Sequence, residues 1–235
     1  ALTRAGRAEH DAAIMDGASE RAGAVAGVCV IRNPLHAARL VMERSPHVLL
    51  IASGAERFAI EHGAATVEPE WFVTERARTE LARFVSGGGP ASRGTVGAVA
   101  RDCQGRLAAA TSTGGTTGKL PGRVGDSPLI GAGTYADARC AVSATGDGEY
   151  FIRAVFAHRI ATQIESGSDA QTAAVQALEH VRLLGGTGGC IVIDGSGRPA
   201  FAHTTPGMYR GVADATGEWV GMFGDEQRGP VQRLQ

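Results

Sequence analysis

The chain has 235 residues, 43% of them hydrophobic, and its 23 basic and 24 acidic residues give a formal net charge of -1. This length supplies enough apolar material for the core of one large domain or two small ones. The near-neutral charge excludes a non-specific nucleic-acid binder, which needs a basic face. No apolar run approaches the roughly 20 residues of a membrane helix, and no secretory signal is recognisable at the start. We therefore expect a soluble, cytoplasmic protein that binds neither nucleic acid nor membrane.

Cysteines and histidines give no sign of a metal site or a disulfide framework. Cys29, Cys103, Cys140 and Cys190 form no C-x-x-C pair, so free thiols in a reducing compartment are expected. The seven histidines lack metal-ligand spacing. Residues 114–119 resemble part of a phosphate-binding loop, but that pattern needs Gly at Thr113 and Ser or Thr at Leu120. We predict neither a metal nor a cofactor.

The first 85 residues alternate between strand and helix patterns. Apolar or Val- and Ile-rich runs predict three strands, at residues 10–17, 24–31 and 48–52. The second and third of these strands are predicted to be buried. Helical spacing predicts three helices: residues 34–44, 54–62 and 74–85. Pro34 has the position of a proline in the first turn of a helix, and Gly63 that of a C-terminal cap.

Residues 86–94 are the clearest boundary in the chain. Gly, Ser and Pro at this density predict an exposed linker rather than an ordered element. Composition alone favours an ordinary interdomain loop at this position.

After the linker, turn-connected strands dominate. The first hairpin is predicted over residues 95–100 and 106–113. Three more strands are predicted at residues 140–144, 190–194 and 199–203. Two helices are predicted at residues 149–165 and 169–184. Strand pairs joined by turns, with the helices segregated, favour an α+β fold with antiparallel sheets rather than a doubly wound parallel sheet.

Thr95 follows the linker directly and opens a strand. A threonine hydroxyl is a poor nucleophile unless a base lies within hydrogen-bond reach. If the bond before Thr95 were cut, its own α-amino group, which titrates at about 8, would supply that base. No His–Asp pair is then required.

Several motifs occur in the order of one known family. They are residues 94–100 (GTVGAVA), 111–115 (TSTGG), 119–128 (KLPGRVGDSP), 145–149 (TGDGE) and 207–209 (GMY), with MDG at 15–17 and RNP at 32–34 before the linker. From about Asp11 to Arg210 the chain resembles the plant-type L-asparaginase / isoaspartyl peptidase family of N-terminal-nucleophile threonine hydrolases.

The resemblance implies an αββα four-layer sandwich that cuts itself between Gly94 and Thr95. The products would be an α chain, residues 1–94, and a β chain, residues 95–235, assembled as a dimer of αβ units. Gly94 would let the backbone twist toward the attack geometry without a Cβ clash.

The resemblance also implies a role for each matched residue. Thr95 matches the nucleophile and Thr113 the threonine that orients it, although alone Thr113 would be an ordinary β-branched strand residue. Thr145 and Gly146 match the oxyanion hole, which suits a hydroxyl and a backbone N–H.

Thr145 and Gly146 also match substrate-binding positions, and three further residues match such positions. Arg123 and Asp126 match the groups that hold the substrate's α-carboxylate and α-amine; outside this motif they would be a surface ion pair. Gly148 matches a further substrate-binding position. Asp147 either touches the substrate or lines the turn.

The implied activity is hydrolysis of L-asparagine to aspartate and ammonia and cleavage of β-aspartyl dipeptides. Family members begin with a strand carrying His-Gly-Gly-Ala-Gly, whereas this sequence starts at Ala1, beyond it, so the fold is expected to lack its first strand and helices. The family's structural sodium is not carried over for the same reason. Two alternatives stay open: a glycosylasparaginase-like amide specificity, and a non-catalytic truncated homologue.

Overall fold

Two sheets and the helices packed on them make up most of the molecule. The structure, a computed structural model, describes residues 1–88, 93–215 and 217–223. The middle of the predicted linker, residues 89–92, and the end of the predicted β chain, residues 224–235, lie outside the described residues.

The strands are β1 His10–Asp16, β2 Ala22–Val28, β3 Leu49–Ile51, β4 Arg93–Arg101, β5 Leu107–Thr116, β6 Thr134–Ala136, β7 Cys140–Gly146, β8 Gly188–Asp194, β9 Pro199–His203, β10 Arg210–Asp214 and β11 Gly217–Gly221. The helices are α1 Pro34–Arg44, α2 Ala52–Glu61, α3 Glu75–Val85, α4 Gly148–Ala154, α5 Phe156–Glu165 and α6 Ala170–Leu183, with a short 3-10 helix at Pro69–Phe72.

The first sheet has the strand order β3-β2-β1-β5-β4, the second has β6-β7-β8-β9, and β10 and β11 form a separate hairpin. Neighbouring strands are antiparallel, except that β2 and β3 run parallel. The α+β class and the antiparallel character predicted from the sequence are confirmed.

Helices pack on both sheets, and strands of the two sheets contact each other. Helices α1 and α2 contact β2, while α5 and α6 contact β7 and β8 respectively. Between the sheets lies a small apolar cluster that includes Met15, Leu107 and Ala141. Strand β4 contacts β7 and β8 directly, which brings the start of the predicted β chain against the second sheet.

Local signals in the sequence place most helix ends correctly. Asn33 caps α1 by accepting from the His36 N–H at 3.2 Å, and Pro34 is the first helical residue. Thr74 caps α3 through the Ala77 N–H. Gly63, with φ +87°, follows α2 as predicted.

Three sequence predictions are wrong. The predicted linker of residues 86–94 overlaps a strand, because β4 begins at Arg93, and Thr95 is the third residue of that strand and does not open it. The strand at 48–52 is not buried, because β3 is the edge of its sheet and Ile51 is 62% exposed. The helix at 149–165 is two helices, since Val155 adopts a left-handed conformation with φ 47°. The Ala157 and His158 N–H groups at the start of α5 donate to carbonyls of the 131–132 loop, so tertiary contacts replace a continuous helix.

Candidate active site

Thr95 and Thr113 lie directly opposite each other on β4 and β5. The Thr95 hydroxyl donates to Thr113 Oγ1 at 3.2 Å. Thr113 Oγ1 donates in turn to the Gly94 carbonyl oxygen at 2.9 Å and accepts from the Gly115 N–H at 2.9 Å. Thr113 is buried and Thr95 half-buried. A single hydroxyl thus contacts both the candidate nucleophile and the carbonyl before it.

A register shift in the β4–β5 ladder isolates Gly94. Arg93 pairs with Thr116 and Thr95 with Thr113, so Gly94 lies at the irregular step between them. A Cβ built on Gly94 would meet nothing within 4 Å. The conformation described here therefore does not itself require glycine, and a role for Gly94 during self-cutting stays a prediction.

Buried hydroxyls join the two sheets next to this pair. Thr111 Oγ1 and Ser143 Oγ are 2.7 Å apart, and Thr134 donates to Thr111 at 2.7 Å. A Cβ on Gly97 would lie 2.9 Å from Ser143 Cβ and closer still to its hydroxyl. Glycine at 97 therefore permits the close approach of β4 to β7.

The end of β7 carries the predicted oxyanion hole. Thr145 and Gly146 pair with Gly189 and Gly188 on β8. A Cβ on Gly146 would lie 2.5 Å from the Thr187 carbonyl oxygen and 2.6 Å from a ring carbon of Phe151. No side chain fits at 146 without displacing its neighbours.

Thr95 and Thr145 share the wall of one cavity of about 630 Å³. The structure thus brings together the predicted nucleophile and one predicted oxyanion residue, which are 50 positions apart in the sequence. A volume of this size is typical of small-molecule sites.

Arg123, Asp126 and Gly148 form a second group. A Cβ on Gly148 would lie 2.8 Å from Asp126 Oδ1 and 2.9 Å from Arg123 Nη2. The absence of a side chain at 148 leaves room for both charged groups. None of the three lines the cavity that contains Thr95 and Thr145.

Asp126 is a buried carboxylate whose Oδ2 finds no hydrogen-bond partner among the described residues. Burial raises the pKa of this carboxyl from 3.8 to about 7, and the positive charge of Arg123 opposes that rise only in part. An ammonium group from a ligand beside this carboxylate would favour the ionised form.

Arg123 has a partner that sequence reasoning missed. Its Nε and Nη2 donate to the two Glu149 oxygens, both at 2.9 Å. The Arg123 side chain is 16% exposed and Glu149 61%. Glu149 stands inside the TGDGE motif, but its pairing with a residue 26 positions away left no local signal.

Lys119 and Asp11 are two further buried charges that the sequence prediction did not include. Asp11 lies opposite Thr113 on β1, and burial raises its pKa while the charge of Lys119 opposes the rise. Lys119 donates to the Glu9 carbonyl oxygen at 2.8 Å, and burial lowers its pKa. The one signal available was that Lys119 is the only lysine in the sequence.

Asp147 has a structural contact that favours the second of its two predicted roles. Its Oδ2 accepts from both the N–H and the hydroxyl of Thr187 at 2.9 Å. The side chain therefore braces the turn between β7 and α4.

The site offers hydroxyls, a guanidinium and carboxylates. Among residues 1–88, 93–215 and 217–223, no group of three or more His, Cys, Asp or Glu side chains is arranged to hold a metal ion. In the same ranges no helix is both long and apolar enough to cross a bilayer. The groups present suit an acyl transfer in which a hydroxyl attacks an amide carbonyl.

Comparison with known proteins gives a consistent set of relatives. The family model described as Asparaginase matches residues 1–221. The isoaspartyl peptidase of Salmonella typhimurium is 52% identical over 223 residues, which are 88% of this chain and 71% of that protein. The isoaspartyl peptidase of Escherichia coli is 52% identical, covering 89% of this chain and 70% of the relative.

A plant relative extends the range of organisms. The probable isoaspartyl peptidase/L-asparaginase 2 of Arabidopsis thaliana is 40% identical over 92% of this chain and 76% of its own length. With a family match over nearly all of its residues and relatives at this level of identity, the chain belongs to the asparaginase family.

Proposed function

We propose that this chain is a self-processing threonine amidohydrolase that hydrolyses L-asparagine and β-aspartyl dipeptides. The observation that carries the proposal is the Thr95–Thr113 hydroxyl contact, with Thr113 also bonded to the Gly94 carbonyl. The names of the relatives, isoaspartyl peptidase and L-asparaginase, support the same substrates.

In the self-cutting step, Thr95 Oγ1 attacks the Gly94 carbonyl carbon. The hydrogen bond from Thr113 to the Gly94 oxygen polarises that carbonyl, which favours attack. The C–N bond breaks, the proton passes to the Thr95 nitrogen, and Gly94 is left as an ester on Thr95. Water hydrolyses the ester and yields chains 1–94 and 95–235.

The freed α-amino group of Thr95 then serves as the base for turnover. It accepts the hydroxyl proton as Oγ1 attacks the side-chain carbonyl of the substrate, and Thr145 and Gly146 stabilise the oxyanion. The proton is passed to the leaving nitrogen, which departs as ammonia or as an amino acid. Water then releases aspartate from the acyl-enzyme.

Arg123 and Asp126 hold the two ends of the aspartyl group. The Asp126 carboxylate, whose Oδ1 lies next to Gly148, receives the α-ammonium. Arg123 receives the α-carboxylate and shares its guanidinium between that group and Glu149. Gly148 keeps the space between them open.

The arrangement of layers, the oligomeric state and the location are also part of the proposal. Helices outside two facing sheets support an αββα four-layer sandwich, and the resemblance alone supports a dimer of αβ units. The four cysteines are free thiols, which fits a reducing, cytoplasmic location.

The test compares Thr95→Ala with the matched control Thr162→Ala, an exposed threonine on α5. On a denaturing gel the parent and the control resolve into two chains, and N-terminal sequencing of the larger chain, residues 95–235, begins at Thr95. Thr95→Ala remains one chain and is inactive on both substrates.

The two open alternatives give other results. A non-catalytic homologue leaves the parent as one inactive chain, whereas a glycosylasparaginase-like enzyme is cut but prefers glycosylated asparagine. Activity of Thr95→Ala on β-aspartyl peptides would show that the proposed nucleophile is wrong.

A further inference from the structure

The loop between β5 and β6, residues 117–133, carries Arg123. In the proposed reaction Arg123 binds the α-carboxylate of the substrate, so its position decides how well the substrate binds. The two Glu149 oxygens hold its guanidinium. The main chain that leads to Arg123, residues 119–122, is held by a different residue, Glu9.

Glu9 contacts both ends of residues 119–122. Its side-chain Oε2 accepts from the Gly122 N–H at 2.9 Å, and its carbonyl oxygen accepts from Lys119 Nζ at 2.8 Å. A carboxylate that accepts from a backbone N–H makes one of the stronger hydrogen bonds in proteins. Gly122 directly precedes Arg123 in the chain. Glu9 therefore fixes the main chain next to the residue that binds the substrate.

Lys119 makes this anchor important, because its charge lies beside that of Arg123. A Cβ built on Gly115 would be 3.2 Å from Lys119 Nζ and 3.4 Å from Arg123 Nη1, so the two cations share the space next to Gly115. Burial lowers the pKa of Lys119, while the charges of Asp11 and Glu9 oppose that fall. Like charges this close repel each other. The two Glu9 contacts hold the loop in place against that repulsion.

Glu9 and this loop belong to different parts of the chain. Glu9 lies in residues 1–94 and the loop in residues 95–235. After the proposed cut, both Glu9 hydrogen bonds would join the α chain to the β chain. The Arg4 N–H, which donates to the Lys119 carbonyl oxygen at 2.9 Å, would add a third such bond. The position of Arg123 then depends on both chains.

We propose that Glu9 is a positioning residue, which holds residues 119–122 so that the Arg123 guanidinium meets the α-carboxylate of the substrate. The inference rests on the proposed function, in which Arg123 binds that carboxylate. In this role Glu9 touches neither the substrate nor Thr95. Loss of Glu9 should therefore weaken substrate binding, and it should leave the chemical step and the self-cutting step unchanged.

The experiment measures KM and kcat of the processed enzyme for L-asparagine in three variants of Glu9. Glu9→Gln keeps an oxygen that can accept from the Gly122 N–H, so its KM should stay within about threefold of the parent's. Glu9→Asp keeps the charge but is one methylene shorter, and Glu9→Ala has no side-chain acceptor. Each of these two should raise KM about tenfold, as expected for a lost hydrogen bond to a charged group.

In all three variants kcat and the cut at Thr95 should stay as in the parent. The matched control is Glu43→Ala on α1, an exposed glutamate of the same part of the chain that pairs with Arg39. This control should keep the KM of the parent.

A double variant separates positioning from a general loss of structure. If Glu9 acts through Arg123, then adding Glu9→Ala to Arg123→Ala should not raise KM further. A further tenfold rise in the double variant overturns the inference. A parent-like KM in Glu9→Asp, or a KM in Glu9→Gln as high as that in Glu9→Asp, also overturns it, and the proposed function still stands. These last two readouts need no Glu9→Ala protein, so they decide the inference even where that variant does not fold.

The proposed function fails in a different way. A parent enzyme that is cut at Thr95 but hydrolyses neither L-asparagine nor β-aspartyl dipeptides refutes it, and the inference with it.

Discussion

Replacing Asp126 with asparagine should make the protein more stable at alkaline pH while it removes the binding of substrate. The carboxyl is buried, one of its oxygens has no partner among the described residues, and burial raises its pKa to about 7. Because the folded state holds this proton more tightly than the unfolded state, stability falls as pH rises between the two pKa values.

The magnitude follows from the two pKa values, 3.8 unfolded and about 7 folded. Above pH 7 the ionised carboxylate costs about 4 kcal/mol of unfolding free energy, at about 1.36 kcal/mol for each pKa unit. At pH 5 the cost is only about 1–2 kcal/mol. Asparagine avoids this cost but leaves a buried amide poorly paired, a penalty of about 1–3 kcal/mol that does not change with pH. The advantage of the variant should therefore grow by about 3 kcal/mol from pH 5 to pH 8.

Urea unfolding at pH 5 and pH 8 measures this difference, in a Thr95→Ala background where the proposed cut cannot occur. Asp102→Asn is the control, since Asp102 pairs with Arg106, which lowers its pKa below both pH values. The effect of the control should be the same at pH 5 and pH 8. If Asp126→Asn also shows no difference between the two, then Asp126 does not carry the raised pKa. In the Thr95 enzyme the same raised pKa predicts that kcat/KM falls as pH drops below about 7.

Two further predictions test the substrate clamp and the packing between the sheets. Arg123→Ala should raise KM for L-asparagine roughly 10- to 100-fold through loss of a charged hydrogen bond. The control Arg106→Ala, which breaks an exposed ion pair, should leave KM unchanged. An unchanged KM in Arg123→Ala would show that Arg123 does not bind the substrate. Gly97→Ala should lower the unfolding free energy by about 1–3 kcal/mol, because its Cβ would overlap Ser143. Gly54→Ala on α2, where a Cβ meets nothing within 4 Å, should raise the unfolding free energy by up to about 1 kcal/mol. Urea unfolding of both variants measures the two changes, and an unchanged unfolding free energy in Gly97→Ala would show that position 97 is not overpacked.

The sequence by itself determined the features that depend on neighbouring residues in the chain. The start of α1 at Pro34, the cap at Thr74 and the end of α2 at Gly63 all follow from local backbone chemistry. The family and its two substrates also followed from the order of short motifs, since each motif is contiguous. The prediction that Thr95 is the nucleophile came from the same motifs.

Only the tertiary structure decided which groups face each other across strands and loops. The pairing of Arg123 with Glu149, and the lack of a partner for Asp126 Oδ2 among the described residues, depend on groups far apart in sequence. The break at Val155 has the same origin, since carbonyls of a distant loop take the first N–H groups of α5. Hydrogen bonding and burial at these positions are properties of the packed sheets, and no local pattern of residues encodes them.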